Sequence, residues 1–227
     1  MRDYEELQIP TPDGETLSAF FIRAPNKSQA IPVTVLMFHG NAGNIGHRVP
    51  IAHMLSELVG CSVFMLEYRG YGLSTGSPDE RGLMIDAQTG LDYLTSRHET
   101  KKNQIVVYGQ SLGGAVSIAL VAKNQSSGKI SGLILENTFL SMRKLIPSYV
   151  GTITRVLSNG TLTGDSVIPP AKYLSYLCHQ IWPSDEVIPK ITEVPVLFLS
   201  GLRDEIVPYV FPILLFSTHT IRASSDA

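Results

Sequence analysis

The stretch VVYGQSLGGAVS, Val106 to Ser117, joins a short run of β-branched and aromatic residues to a run of small and apolar helix formers. At the junction, Gly109 and Gly113 flank Ser111 in the pattern G-x-S-x-G. Glycines at these positions let the backbone turn tightly between a strand and a helix, and they leave the serine hydroxyl exposed at the end of the strand. The stretch therefore predicts a strand followed by a helix, and it makes Ser111 the candidate nucleophile.

The segments on either side repeat this order of strand and helix. Six short apolar runs rich in β-branched or aromatic residues predict strands. They are Leu17–Ile22, Val33–Phe38, Ser62–Leu66, Ile105–Tyr108, Leu133–Leu135 and Pro195–Ser200. Stretches of helical length, such as VPIAHMLSELV, DERGLMIDAQTGLDYLTS and GGAVSIALVAKN, lie between most of them. The alternation predicts a mostly parallel, twisted α/β sheet with helices on both faces, in which sites gather at the carboxyl ends of the strands.

The composition fits one domain and argues against several classes of protein. The chain has 227 residues, of which 44% are hydrophobic and 17% are charged, and its net charge of -2 leaves no positive surplus for a nucleic acid. No run of about 20 apolar residues and no leader segment is present, so we expect the chain as given to be soluble. Cys61 and Cys178 lie far apart without metal-ligand spacing, so we expect free thiols rather than a disulfide bridge, and no metal site. No cofactor is expected either.

Residues 141–189 interrupt the alternation of strands and helices. They contain five prolines and no clear strand, which favours an irregular, cap-like insertion over the strand ends. A surface excursion with little packing is the alternative interpretation. The predicted domain spans residues 1–208 and includes this insertion, and residues 209–227 form a separate tail that we expect to be disordered or poorly packed.

Two loops supply candidate groups that would stabilise a negative charge formed at Ser111. The amide of Leu112 opens the predicted helix, and the amides of Asn41 and Ala42 lie in FHGNAGN, directly after another strand. His39 in the same loop precedes the nucleophile, so we interpret it as a structural brace rather than as a catalytic base. The glycines of EYRGYGLSTG do not match the dinucleotide-binding spacing, and this segment is expected to be a packed loop that shapes the pocket.

The turn FLSGLRDEIVP supplies a candidate acid. Asp204 lies just beyond the last predicted strand, where a carboxylate could orient an imidazole and stabilise its protonated form. Glu205 is adjacent and carries the same charge, but Asp204 is the first acid of the turn. Glu136, at the end of LILE, is the reserve candidate for this role.

Five motifs in order, HGNAGN, YRGYGLS, GQSLGG, ENTF and DEIVP, resemble those of the α/β-hydrolase superfamily. More narrowly, they are similar to the fungal bud-emergence (Bem-like) hydrolases and to the animal α/β-hydrolase-domain proteins of the thirteen and seventeen types. The resemblance covers roughly Tyr4 to Pro208. It implies that Ser111 is the nucleophile, that Asp204 is the triad acid, and that the amides of Asn41 and Leu112 form the oxyanion hole.

The same resemblance carries expectations about substrate and location. It implies a serine hydrolase that acts on an ester or thioester through an acyl-enzyme, with a small-molecule or lipidated acyl substrate. Many such relatives carry an N-terminal membrane anchor, and the seventeen-type group includes protein depalmitoylases. Membrane association at the endoplasmic reticulum or plasma membrane is therefore expected for a full-length form.

The catalytic histidine is the part that the sequence does not clearly supply. In the order Ser, Asp, His, a helix, a strand and two loops place the base roughly 25 to 30 residues beyond the acid. Only 23 residues follow Asp204, and His219 is the one histidine among them. Pro212 interrupts the apolar run of the tail, which predicts neither an amphipathic helix nor the ending typical of this family. His219 is thus either the candidate base or a disordered terminal histidine.

The departure from the family after Pro208 leaves two functional hypotheses. The chain is expected to be truncated before the last helix and strand of the fold, so it is either a serine hydrolase or a variant without catalytic activity. Such a variant would keep the hydrolase shell as a binding or regulatory module.

Overall fold

The computed structural model describes residues 4–25, 30–146, 180–201, 207 and 210–223. Within them lies a seven-stranded sheet with the strand order β1-β2-β4-β3-β5-β6-β7. The strands are β1 (Glu5–Pro10), β2 (Thr16–Ile22), β3 (Val33–Phe38), β4 (Ser62–Leu66), β5 (Gln104–Gln110), β6 (Ile130–Glu136) and β7 (Val196–Leu199). β2 pairs antiparallel with β1 and β4, whereas every other pair is parallel. The mostly parallel sheet predicted from the sequence is confirmed.

Helices cover both faces of this sheet. The main ones are α1 (Val49–Val59), α2 (Glu80–Ser96), α3 (Leu112–Asn124), α4 (Ser184–Val187) and α5 (Val210–Ala223). Alternate side chains of each strand point to opposite faces. Thus Leu36 and Phe38 of β3 join the core cluster shared with α2 and α3, whereas Val35 and Met37 join the cluster that includes Ala52 of α1.

Local signals set the ends of these helices. The carboxylate of Asp79 accepts a 2.6 Å hydrogen bond from the backbone N–H of Gly82, which satisfies a free amide in the first turn of α2. Gly60 adopts a left-handed conformation with φ 76° directly after α1, as glycine does at many helix ends. All six predicted strands form, and the bounds predicted for α1 are those observed.

The strand missed by the sequence reasoning is β1. It contributes few buried residues because it lies at the edge of the sheet and pairs with β2 alone. Its sequence EELQIP shows a short alternation in which Leu7 and Ile9 are the apolar members. An edge strand needs little apolar surface, so this weak alternation was the signal available.

The prediction that the tail does not form a helix is wrong for residues 210–223. They form α5, and Phe211 and Leu215 are buried in the larger core cluster. Pro212 is tolerated because it is the third residue of the helix, where a backbone N–H would have no acceptor within the helix. Pro208 lies outside the described residues, so the domain boundary placed there stays a prediction.

The cap-like insertion predicted at 141–189 is described at its two ends, and residues 147–179 lie outside the described part. The two ends are joined, because the backbone N–H of Met142 donates a 3.0 Å hydrogen bond to the carbonyl of Ile181. Trp182 is buried in the core cluster beside this junction. The two described ends of this segment therefore meet at one point, and its role as a cap stays a prediction.

Candidate active site

Ser111 lies at the turn between β5 and α3, in a backbone conformation that non-glycine residues rarely adopt. Its φ is 52° and its ψ is -114°, and conformations of this kind cost about 1–3 kcal/mol. Three hydrogen bonds hold it there: its N–H donates to the carbonyl of Glu136 at 3.0 Å, and its own carbonyl accepts from the Gly114 N–H at 2.9 Å and the Thr138 hydroxyl at 3.0 Å. The Ser111 side chain is partly exposed, and its hydroxyl has no hydrogen-bond partner within the described segments.

The glycines around Ser111 are required by close approach of the backbone. A methyl group at Gly109 would collide with the carbonyl of Gly113, and one at Gly113 would collide with the carbonyl of Phe38. A methyl group at Gly114 would collide with the side chain of Thr138. The amino terminus of α3 therefore packs directly against the end of β3, which brings the loop after β3 beside Ser111.

The two candidate oxyanion donors lie on the two segments that meet here: Leu112 begins α3, and Asn41 lies in the loop after β3. A methyl group on Gly40 would lie 3.5 Å from Cβ of Ser111, so the loop that carries Asn41 passes next to the serine. The side-chain carbonyl of Asn41 accepts a 2.5 Å hydrogen bond from the Tyr71 hydroxyl. The backbone N–H groups of Asn41 and Leu112 have no acceptor within the described part of the chain, so both are free to bind an anionic oxygen.

His39 and Glu67 form a buried pair beneath this loop, exposed by only 1% and 2%. Nδ1 of His39 lies 2.7 Å from the carbonyl of Gly40, which only accepts hydrogen bonds, so Nδ1 carries a proton. Nε2 lies 2.9 Å from Oε1 of Glu67, within ion-pair distance although not aligned as a hydrogen bond. This contact is attractive only if one proton lies on Nε2 or Oε1. Nδ1 is thus engaged by the loop and Nε2 by Glu67 after β4, in keeping with the prediction that His39 is a structural brace.

The YRGYG segment packs against the same loop from the other side. The Tyr68 hydroxyl donates a 3.0 Å hydrogen bond to the carbonyl of His39, and burial raises the pKa of Tyr68 well above its usual value. Burial also raises the pKa of Tyr71, whose ring meets the imidazole of His39 edge-on. These tyrosines remain neutral hydrogen-bond donors at ordinary pH, and they fix the backbone of the loop that carries Asn41.

Arg69 anchors this segment to the body of the domain. Its guanidinium donates to Asp86 at 2.8 and 3.0 Å and to Asp13 at 2.8 and 3.0 Å. The hydrogen bonds from Arg69 lower the pKa of Asp13 to about 2. Burial raises the pKa of Asp86, because the loss of solvation there outweighs the hydrogen bonds from Arg69. The predicted packed loop is therefore held by one buried and one surface carboxylate.

The reserve acid Glu136 is held by the neighbouring strand. Its carboxylate accepts hydrogen bonds from the Tyr108 hydroxyl and, at 3.1 Å, from the side-chain amide of Gln110. Both donors lie on β5, directly before Ser111. These contacts brace the end of β6, and the role of Glu136 as the reserve acid stays a prediction.

Asn137, in the ENTF motif, lies beside the candidate site, although its sequence context did not predict a role for it. It has φ 45°, its N–H donates to the carbonyl of Leu199 at 3.0 Å, and its side-chain carbonyl accepts from the Gly201 N–H at 2.8 Å. The available signal was the short polar pair Asn-Thr directly after a strand. Asn137 thereby holds the end of β7 beside β6, and the predicted acid Asp204 lies three residues beyond Gly201.

The side chains of the other two predicted triad members, Asp204 and His219, lie outside the described residues. Asp204 lies in residues 202–206, outside the described residues. His219 lies within α5 by its backbone, which corrects the interpretation of a disordered terminal histidine, and its side chain is outside the described part. The roles of both residues stay predictions.

Comparisons with known proteins agree with this architecture. The family model described as serine aminopeptidase, S33, matches residues 29–164. The chain is 46% identical over 217 residues to the protein bem46 of Schizosaccharomyces pombe, a match that covers 94% of this chain and 65% of that protein. It is 40% identical over 206 residues to the uncharacterized membrane protein YNL320W of Saccharomyces cerevisiae, covering 90% of this chain and 64% of that protein. The chain thus spans just under two thirds of the length of these relatives.

A solved structure shares the fold. The esterase Pf2001 of Pyrococcus furiosus superposes with a TM-score of 0.68 at 20% identity, covering 98% of this chain and 76% of that chain. At this identity the likeness supports the fold alone.

None of the helices in the described segments is long and apolar enough to cross a bilayer.

Proposed function

Because the chain belongs to the α/β-hydrolase family described as serine aminopeptidase, S33, we propose that it is a serine hydrolase that cleaves an ester or thioester. The observation that carries the proposal is the turn at Ser111, where a strained backbone presents a hydroxyl without a partner in the described segments. Strain of this kind persists only where the surroundings impose it, and it is concentrated at functional sites. Ser111 is the proposed nucleophile.

The proposed reaction proceeds through an acyl-enzyme. The Ser111 oxygen attacks the substrate carbonyl, its proton passes to a base, and the negative charge that forms on the carbonyl oxygen is bound by the amides of Leu112 and Asn41. Collapse of this intermediate expels the alcohol or thiol, which takes up the proton, and water then releases the acid by the same route. Asp204 is the proposed acid, and His219 is the candidate base whose role an alanine variant decides.

A fluorophosphonate probe tests the nucleophile. We expect covalent labelling of the wild-type chain, loss of labelling in Ser111→Ala, and retention of labelling in Ser96→Ala, which removes an exposed serine of α2. Absence of labelling in a chain that melts cooperatively would overturn the proposal and would favour the alternative of a binding or regulatory module.

The reaction class is tested by comparing leaving groups. We expect p-nitrophenyl esters and acyl thioesters to be hydrolysed faster than an aminoacyl p-nitroanilide, because esters and thioesters are more readily attacked than amides. A series of acyl chains from acetyl to palmitoyl tests whether the proposed substrate is lipid-like. Faster turnover of the anilide would instead support the aminopeptidase activity that the family description names.

A further inference from the structure

Arg48 lies close to Gly40, the loop residue that also lies beside the candidate nucleophile Ser111. It ends the short 3-10 helix Ile45–Arg48, which follows the loop of Asn41. A methyl group on Gly40 would lie 3.9 Å from Nη2 of Arg48 and 3.5 Å from Cβ of Ser111. Nη2 of Arg48 and the side chain of Ser111 therefore both lie next to Gly40.

Among the described residues, Arg48 has no carboxylate partner, whereas several other arginines do. Its Nε is buried without a hydrogen-bond partner, and within the described segments the guanidinium has no ion-pair partner. By contrast, Arg23, Arg69 and Arg97 each contact a carboxylate at 2.6–2.8 Å. A partly buried cation without an anion is unfavourable, because it has lost solvation without gaining an opposing charge.

The described carboxylates at this edge of the sheet are already engaged. Glu67 contacts His39 and accepts a 3.1 Å hydrogen bond from the Ile45 N–H. Glu136 is bound by the side chains at the end of β5. An anion that binds Arg48 must therefore come from outside these residues.

We infer that Arg48 binds an anionic group of the substrate, a carboxylate or a phosphate carried on the molecule whose ester or thioester Ser111 attacks. The planar guanidinium matches two oxygens of either group, and hydrogen bonds between charged partners are roughly twice as strong as neutral ones. This inference rests on the proposed function and narrows its substrate class to anionic esters and thioesters. Arg48 is a specificity-determining residue.

The test compares esters that differ in one charge. The anionic probes are mono-p-nitrophenyl glutarate and p-nitrophenyl 4-phosphonobutyrate, and the neutral probe is p-nitrophenyl hexanoate. We expect Arg48→Gln to lower kcat/KM for one anionic ester, and this loss should exceed the loss for the hexanoate by about 10- to 100-fold. Losing one hydrogen bond to a charged group produces a change of this size. Arg48→Lys should recover part of the difference, and Arg81→Gln, at an exposed position of α2, should change neither rate. The anionic ester with the larger loss identifies the group as carboxylate or phosphate.

Equal losses for the anionic and neutral esters would overturn the inference and leave the proposed hydrolase function standing. If no ester is hydrolysed and no probe labels Ser111, the proposed function fails, and binding then decides the inference. For that purpose, monomethyl glutarate and 4-phosphonobutyrate are added to Ser111→Ala and to Ser111→Ala with Arg48→Gln. We expect one ligand to raise the melting temperature only where Arg48 is present. A shift that survives Arg48→Gln, or no shift in either protein, would contradict the inference.

Discussion

The side-chain carbonyl of Asn137 accepts a 2.8 Å hydrogen bond from the backbone N–H of Gly201 and so ties the loop after β6 to the loop after β7. The next residue, Thr138, donates its hydroxyl to the carbonyl of Ser111 at 3.0 Å. The side chains of Asn137 and Thr138 therefore hold two parts of the candidate site together. These are the backbone of Ser111 and the start of the loop after β7, whose later residues include the predicted acid Asp204.

Asn137→Gly should remove this tie without adding backbone strain, because glycine also accepts the observed φ of 45°. We expect a loss of about 1 kcal/mol in the free energy of unfolding and a fall of at least about tenfold in ester turnover, since small displacements of catalytic groups are costly. Urea denaturation and steady-state kinetics measure the two effects. Asn103→Ala is the control, because it breaks a 2.9 Å hydrogen bond to Thr34 at the opposite end of the sheet. If both variants reduce turnover equally, the tie has no positioning role.

Glu67→Ala should disturb the loop of Asn41 far more than Glu67→Gln. Alanine leaves the Ile45 N–H buried without its acceptor, at a cost of about 1–3 kcal/mol, and it also removes the carboxylate beside Nε2 of His39. Glutamine still accepts from the Ile45 N–H and keeps a polar group beside Nε2 of His39. Chemical denaturation of both variants measures the difference, and similar losses for the two would show that the contact with His39 contributes nothing to stability.

The Asp13 carboxylate should stabilise the fold only above acidic pH. Its pKa is lowered to about 2 from 3.8, so its contribution is present above about pH 4 and is lost as the pH falls through 2. We therefore expect the melting temperatures of wild type and Asp13→Asn to differ at pH 5–6 and to converge toward pH 2. Melting curves across this range measure the gap, and a constant gap would contradict the assigned ion pair with Arg69.

The edge at β7 should make the chain self-associate. β7 forms one of the two edges of the described sheet, and its Leu197 and Leu199 are 53% and 42% exposed. Exposed apolar strand edges favour pairing between chains. Size-exclusion chromatography with light scattering should show oligomers or aggregates that decrease in Leu197→Lys and persist in Leu73→Lys, where the leucine is more exposed but lies in a loop. A single sharp monomer peak for the wild type would count against this expectation.

His219→Ala should change the turnover of an activated ester by less than about twofold. His219 lies 15 residues beyond Asp204, which is short of the roughly 25 to 30 residues that a helix, a strand and two loops require. The turn at Ser111 and the amides of Leu112 and Asn41 should still give a slow reaction, because serine hydrolases without triad members keep roughly a 10³ to 10⁴-fold advantage over water. A loss of several orders of magnitude in a folded variant would instead identify His219 as a working base.

The sequence by itself determined the features that depend on neighbouring residues. The strand, glycine turn and helix around Ser111 follow from local periodicity and from the need for glycine where backbones touch, as at Gly113 beside Phe38. Local patterns failed where they were weak or ambiguous. β1 carries little apolar surface because it lies at an edge, and Pro212 could either end a helix or lie in its first turn.

Only the tertiary structure decided which distant residues meet at the site. Asn137 and Gly201 are 64 residues apart, yet they are hydrogen-bonded at the carboxyl edge of the sheet. Arg48 and Ser111 are 63 residues apart, yet both lie next to Gly40 at the same edge. No local pattern encodes such contacts, because the strand order and the packing of α3 against β3 bring them about. The pairing of His39 with Glu67 depends in the same way on burial, which is a property of the folded chain, and so does the lack of a counter-charge at Arg48 among the described residues.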